Sequence, residues 1–340
     1  MSNKGFPRFT ALVMIIAITG CDNVEWAGVD LELRPPPARE TVPMAEAVDP
    51  EEPVLEPLEL GTLIYAVERT GPSTASVLPV AEVAGSEYRP LPDPEEIEHF
   101  VARFPLNRWG EGVELVLFAQ GVRVGTLTFQ GPVEEDRGTC LLRPRGQGAL
   151  ELHPGAAGLD RFLALRKEDL SGSLVPQEYP GLQDNFQLRA GTLEVARILI
   201  PQVQAPWPPS IPEIRRHYAP FPLPDGETGL AASFVYAGDL ETGEAPPLAY
   251  SLFYLAREEA GAFRPALSWY QRVREGGKAF PRFLASHDVR DTGAPDVLLE
   301  TFGEEATWFT VLGMRDGTWG VIYQDPCGLP VPSGAIRTHP

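Results

Sequence analysis

Ser286-His287-Asp288 holds the three residue types of a hydrolytic triad, side by side. Neighbours on an extended chain point to opposite faces, so these three cannot pass a proton along a line. The five histidines, His99, His153, His217, His287 and His339, are scattered, with no pair at the spacing that puts two imidazoles on one metal. No nucleophile elbow or phosphate loop is present, and Gly146-Gln147-Gly148 lacks the third glycine of a dinucleotide turn. Glu300, Glu304 and Asp316 are acids that a hydrolase site could recruit from separate segments. Trp269, Tyr270, Trp308 and Trp319 could build a stacking face for a sugar or peptide, or fill a β-rich core. Arg215-Arg216-His217 is a small basic cluster that suits a helix C-terminus. None of these patterns defines a catalytic class, and the chain is read as a non-enzyme.

The 340 residues carry 47 acids against 28 Lys and Arg, a net charge of -19. Nucleic-acid affinity rests on cationic neutralisation of phosphates, so nucleic acid is excluded as a partner class. The 36 Pro and 33 Gly exclude a helical bundle and favour strands and turns. Lys4 and Arg8 precede the apolar run Ala11 to Ile18, which ends in Thr19 and Gly20 before Cys21. This is a secretory signal layout over residues 1–20, too short for a membrane span.

Ile18-Thr19-Gly20-Cys21 resembles the lipobox of bacterial lipoproteins. The resemblance implies lipidation at Cys21, a membrane anchor, and a cell-envelope location facing the periplasm or the cell surface. Asp22 resembles an inner-membrane retention signal of enteric lipoproteins, and the choice between inner and outer membrane stays open. With the signal removed the balance is 26 basic against 47 acidic residues, -21. Anionic headgroups repel such a body, so the lipid must do the anchoring. Cys140 and Cys327 then remain as an even pair in an oxidising compartment, read as a disulfide, with two buried thiols as the alternative.

Residues 21–58, rich in Pro and acids, read as a flexible tether. Residues 59–200 read as a first mainly-β module, with strands at Leu63–Val67, Ser76–Val83, Val113–Gln120 and Val122–Gln130, the last two a hairpin with a bulge at Gly125. Further strands are expected at Cys140–Arg143, Ala149–His153 and Phe162–Arg166. A helix is expected after the Asp93 cap, with Ile97, Phe100, Val101 and Phe104 on one face, and a second from Leu193 to Ile200. Eight prolines between 201 and 224 mark a junction, in which Ser210 and Glu213 offer a capping box for a helix through His217. A second β module follows over 225–329, then a tail over 330–340. The fold class is mainly β, two antiparallel modules with a few short helices.

The second module contains an approximate duplication. Asp239-Leu240-Glu241-Thr242-Gly243 and Asp288 to Asp296 both precede strand-like runs, and each copy closes on an aromatic strand, at Trp269-Tyr270 and at Trp319 to Gln324. These units resemble the FG-GAP or VCBS-type repeats of extracellular β-proteins. The resemblance implies a calcium loop at Asp288, Thr292 and Asp296, and at Asp239 and Glu241 in the first copy. Arg290 occupies the third loop position, and the first copy's glycine comes one residue early, so a turn held by Gly and Asx geometry is the other reading. No other cofactor is expected. The chain is thus expected to be an envelope binding or assembly component with a protein or glycan partner. Its alternatives are a glycan or small-ligand binder using an aromatic face, and a hydrolase with an acidic site.

Overall fold

The computed structural model describes residues 56–92, 99–104, 108–170, 186–224, 226–331 and 336–338. The signal segment, Cys21, most of the tether, the Asp93 cap, Ile97 and His339 lie outside them. Seven strands come first: β1 (Thr62–Gly71), β2 (Thr74–Ala84), β3 (Glu87–Arg89), β4 (Glu114–Ala119), β5 (Val122–Asp136), β6 (Arg143–Leu152) and β7 (Arg161–Arg166). All neighbours are antiparallel in the order β1-β7-β4-β5-β6-β2-β3, and β1 also pairs with β2. Six of the strands therefore close into a barrel, which removes their edges. The β4–β5 register slips between Leu117 and Phe118, opposite Gly125 and Arg123, so the bulge falls where the break in alternation places it. Cys140 lies in a loop, and its expected strand begins at Arg143 instead.

Alternation sorts the barrel side chains. Leu63, Tyr65, Val67, Leu115, Leu117 and Phe162 point inward, and Phe100, which opens α1 (Phe100–Arg103), and Phe104, which follows it, close the lumen with Trp109. Trp109 stacks on Tyr65 at 5.6 Å and tilts against Phe129 at 4.7 Å. Ile64, Ala66, Val116, Phe118, Leu163 and Leu165 point outward yet are also buried, because a second sheet covers them.

That covering belongs to a sandwich. Its outer sheet contains β8 (Arg215–Pro222), β9 (Thr228–Tyr236), β10 (Tyr250–Glu259) and β11 (Ala262–Arg272), with β16 (Ile336–Thr338) added to β11. Its middle sheet is β12 (Phe280–His287), β13 (Asp296–Phe302), β14 (Thr307–Arg315) and β15 (Thr318–Gln324). Leu284, Leu298, Phe309 and Val311 of the middle sheet face the barrel, while Phe283, Val297, Leu299 and Leu312 face Phe253, Leu255, Leu267 and Trp269 of the outer sheet. The helix α2 (Phe186–Gln202) lays Val195, Ala196, Leu199 and Ile200 on the far side of the outer sheet. Gly191 allows that approach, since a Cβ there would stand 2.4 Å from the Phe263 ring.

Two expectations need correction here. The helix expected at 193–200 runs over Phe186–Gln202 and packs on the later sheet, so it belongs with the second module rather than the first. The Pro-rich stretch 201–224, expected as a junction with one short helix through His217, supplies the shorter α3 (Ile211–Ile214) and then β8, whose Pro220 and Pro222 are tolerated because β8 is an edge strand. Ser210 makes no side-chain cap, and Arg215 is at once the C-cap of α3 and the first residue of β8, so Arg215-Arg216-His217 leaves a helix end and runs along a strand. All described residues fall in one compact unit, because the middle sheet is buried on both faces.

Candidate functional site

Four connections meet at one end of the sandwich: β9–β10 (237–249), β11–β12 with α4 (Val273–Gly276), β13–β14 (303–306), and the turn after β15. Lys278, 2% exposed, ties two of them together by donating from Nζ to the carbonyls of Glu241 and Gly243, both at 2.7 Å. Burial lowers its pKa, while Glu241, Glu304 and Asp239 oppose the shift. Gly243 N donates to Gly303 O at 3.3 Å, which brings in the third connection.

The barrel reaches the same place. Its β5–β6 loop docks on β14 through Cys140 N to Thr307 O at 2.8 Å and Thr307 N to Gly138 O at 3.0 Å. Cys140 and Cys327 form a disulfide across 187 residues of sequence. The bridge, Trp308, Lys278, Leu329 and the 303–306 loop line a groove of about 290 Å³. Trp308 lies between Gly303 and Gly328, whose missing side chains would stand 2.6 Å from its ring. Its indole Nε1–H is buried with no acceptor among the described residues. Glu304 and Glu305 on the groove wall are exposed and carry no ion pair among the described residues.

Behind the groove, Arg143 and Asp325 form an ion pair at 2.6 Å with both side chains fully buried. Arg143 also donates to the carbonyls of Pro79 and Val80, and Asp325 accepts from Phe309 N at 2.8 Å and Tyr323 Oη at 2.6 Å. Burial and the neighbouring Asp325 push the Tyr323 phenol upward. Each side-chain nitrogen and oxygen of Arg143, Asp325 and Tyr323 has a hydrogen-bond partner, which is the condition for a buried pair to be tolerated.

The other expected residues are distributed differently. At the opposite end of the sandwich, Asp288 accepts from Thr292 N at 2.9 Å and Gly293 N at 2.7 Å, so its carboxylate closes the 288–293 loop on itself. Asp296 is 1% exposed and takes the Arg290 fork at 2.8 to 3.1 Å and the Tyr88 hydroxyl at 2.9 Å. Burial raises its pKa against those bonds. Its oxygens are thus engaged by donors, while Asp239 pairs with Arg216 at 3.6 Å and Glu241 binds Lys278 only through its carbonyl. Among the described residues, no group of three or more His, Cys, Asp or Glu is placed to hold a metal ion.

The expected aromatic face is corrected by burial: Trp269, Trp308 and Trp319 are 1%, 4% and 7% exposed, and Tyr270 is half-buried. Alternation implies an outward face only where one side of a sheet meets water, and here both sides are covered. Among the described residues the exposed indole is Trp207, 60% exposed in a Pro-flanked loop whose anchor is Tyr250 Oη on Pro206 O at 2.9 Å. In the Ser-His-Asp run, the Ser286 hydroxyl is buried without a partner among the described residues and His287 stacks on Phe118 at 3.8 Å. Glu300 is shared by Arg161 and Arg282, whereas Glu304 and Asp316 sit at opposite ends of β14. That strand is roughly 30 Å long at ~3.4 Å per residue, so these acids do not converge. His217 packs near Phe283, and burial with the charges of Arg282 and Arg161 lowers its pKa to about 4.

The site therefore belongs to a closed β-barrel fused face-on to a two-sheet sandwich, with a disulfide-framed groove at the sandwich's loop end. Compared with protein-family models, with curated proteins and with solved structures, the chain has no match. Lys278 and the Arg143–Asp325 pair are the polar residues that sequence reasoning missed; isolated charges on β-rich segments carry no spacing signal that separates an interior partner from a surface one.

Proposed function

We propose that this chain is an extracytoplasmic lipoprotein, anchored through Cys21, that acts as a non-catalytic binding or assembly component of a bacterial envelope. The observation that carries the reading is the run from Lys4 and Arg8 through Ala11–Ile18 to Thr19-Gly20-Cys21. The Cys140–Cys327 disulfide supports it, because such bridges persist in oxidising compartments. The resemblance of the Asp239 and Asp288 units to extracellular repeats supports display rather than catalysis. Multiple acyl chains give stable anchoring where one chain is marginal. Mass spectrometry of the protein from membranes tests the anchor: a mature N-terminus at acylated Cys21 is expected, and a secreted chain with unmodified Cys21 refutes it. In-cell cross-linking then tests the assembly role, with a stoichiometric envelope protein as the expected product.

A glycan-binding reading has one specific observation behind it, the outward indole of Trp207. It requires a sugar-dependent change in tryptophan emission that Trp207→Ala abolishes.

A further inference from the structure

We propose that the groove at the loop end of the sandwich binds a basic side chain of a polypeptide partner. An arginine or lysine lays its stem along Trp308, Leu329 and the disulfide and sets its head at Glu304 and Glu305. The inference rests on the binding role proposed above and is independent of the lipid anchor.

The groove's walls are of two kinds. Trp308, Leu329, Ala306 and the Cys140–Cys327 bridge are apolar, and the 303–306 loop brings two carboxylates to their side. A long basic side chain is amphipathic in the same sense, an aliphatic stem with a charged head. The volume of about 290 Å³ is at the small end for ligand sites, suited to one side chain rather than to a large cofactor.

Charge selects the sign of the ligand. Glu68, Glu114, Glu227 and Glu300 have Arg or Lys partners. Glu304 and Glu305 make no ion pair among the described residues; Lys278, the one cation lining the groove, feels the charge of Glu304 but donates to the carbonyls of Glu241 and Gly243. A body of net charge -19 steers a cationic partner toward it.

The second observation is Trp308 itself, 4% exposed and lining the groove with an Nε1–H that has no acceptor among the described residues. A buried donor left unsatisfied is costly. That N–H lies against the Gly328 backbone in the 327–329 turn. A polypeptide partner carries backbone carbonyls beside its cationic side chain, which a free amine does not.

The test titrates the full oxidised chain with acetyl-Gly-Arg-Gly-amide, with the Gln peptide as control, to concentrations on the order of 10 mM, where so small a contact saturates. Saturable binding of the Arg peptide is expected, weakening with salt and moving tryptophan emission in the parent but not in Trp308→Phe. The exposed pair Glu304→Gln/Glu305→Gln, which touches no core, is expected to weaken binding about tenfold. Asp291→Asn/Asp316→Asn, at the opposite end, leaves it unchanged. Absence of saturation, equal binding of the Gln peptide, an unaffected double Gln variant, or equal weakening by the distant pair each overturns the proposal. A chain that binds the peptide but carries no lipid on Cys21 refutes the anchor alone, and a lipidated chain that fails to bind refutes the groove alone.

Discussion

Removing the disulfide should destabilise the fold through its unfolded state. Cys140 and Cys327 are 187 residues apart, and the chain-entropy relation gives a loop of that length about 5 kcal/mol at 25 °C. For a unit spanning Val54–Pro340, each kcal/mol moves the melting temperature about 1.5–2 °C, so Cys140→Ser/Cys327→Ser should melt about 8–10 °C below the parent. Guanidinium unfolding adds a second observable, because the unlinked denatured chain exposes more surface and its m-value should rise. Reductant added to the parent should reproduce both changes. The Thr307 contacts to Gly138 and Cys140 remain in the variant, so the folded state should keep its far-ultraviolet dichroism. A loss below about 1 kcal/mol with an unchanged m-value would refute the reasoning, since it would mean that the bridge constrains nothing the denatured chain explores.

Three further outcomes are expected. Arg143→Met strands the Asp325 carboxylate in the interior and should cost about 3–5 kcal/mol by denaturant unfolding, while Arg143→Met/Asp325→Leu should recover most of it; additive costs would contradict the pairing. His217 should make the fold acid-sensitive. Its folded pKa of about 4 lies below the ordinary 6.5, so the unfolded chain binds a proton that the folded one refuses. Stability then falls as pH drops from 6.5 toward 4, by up to about 3 kcal/mol, and His217→Asn should flatten that slope. Millimolar calcium should leave the melting temperature within about 1 °C, because Arg290 and Tyr88 already engage Asp296; a calcium-dependent rise would show a site that these contacts do not block.

The strands at Leu63–Val67, Ser76–Val83 and Phe162–Arg166 were legible because runs of apolar residues between turns leave few other conformations. The bulge at Gly125 was legible for the same local reason. Barrel closure was not, since β1 meets β7 about a hundred residues later and no local pattern encodes that pairing. The buried indoles show a related failure. Trp269 and Trp308 look alike on paper whether a sheet has one wet face or none, and only the stacking of three layers decides it. Of the groove, the two cysteines, Trp308 and Glu304 were singled out by residue type, but they come from separate segments, and nothing in their spacing brings them together.

The bridge also imposes an order on biogenesis. All six strands of the barrel are complete by Arg166, so that body can close while its Cys140 still lacks a partner. Until Cys327, 187 residues further on, reaches the same compartment, the only earlier thiol on the chain is Cys21. Acylation of Cys21 would remove the one intramolecular competitor, and a Cys21→Ser chain would reveal whether lipid modification also acts as a safeguard for correct oxidation.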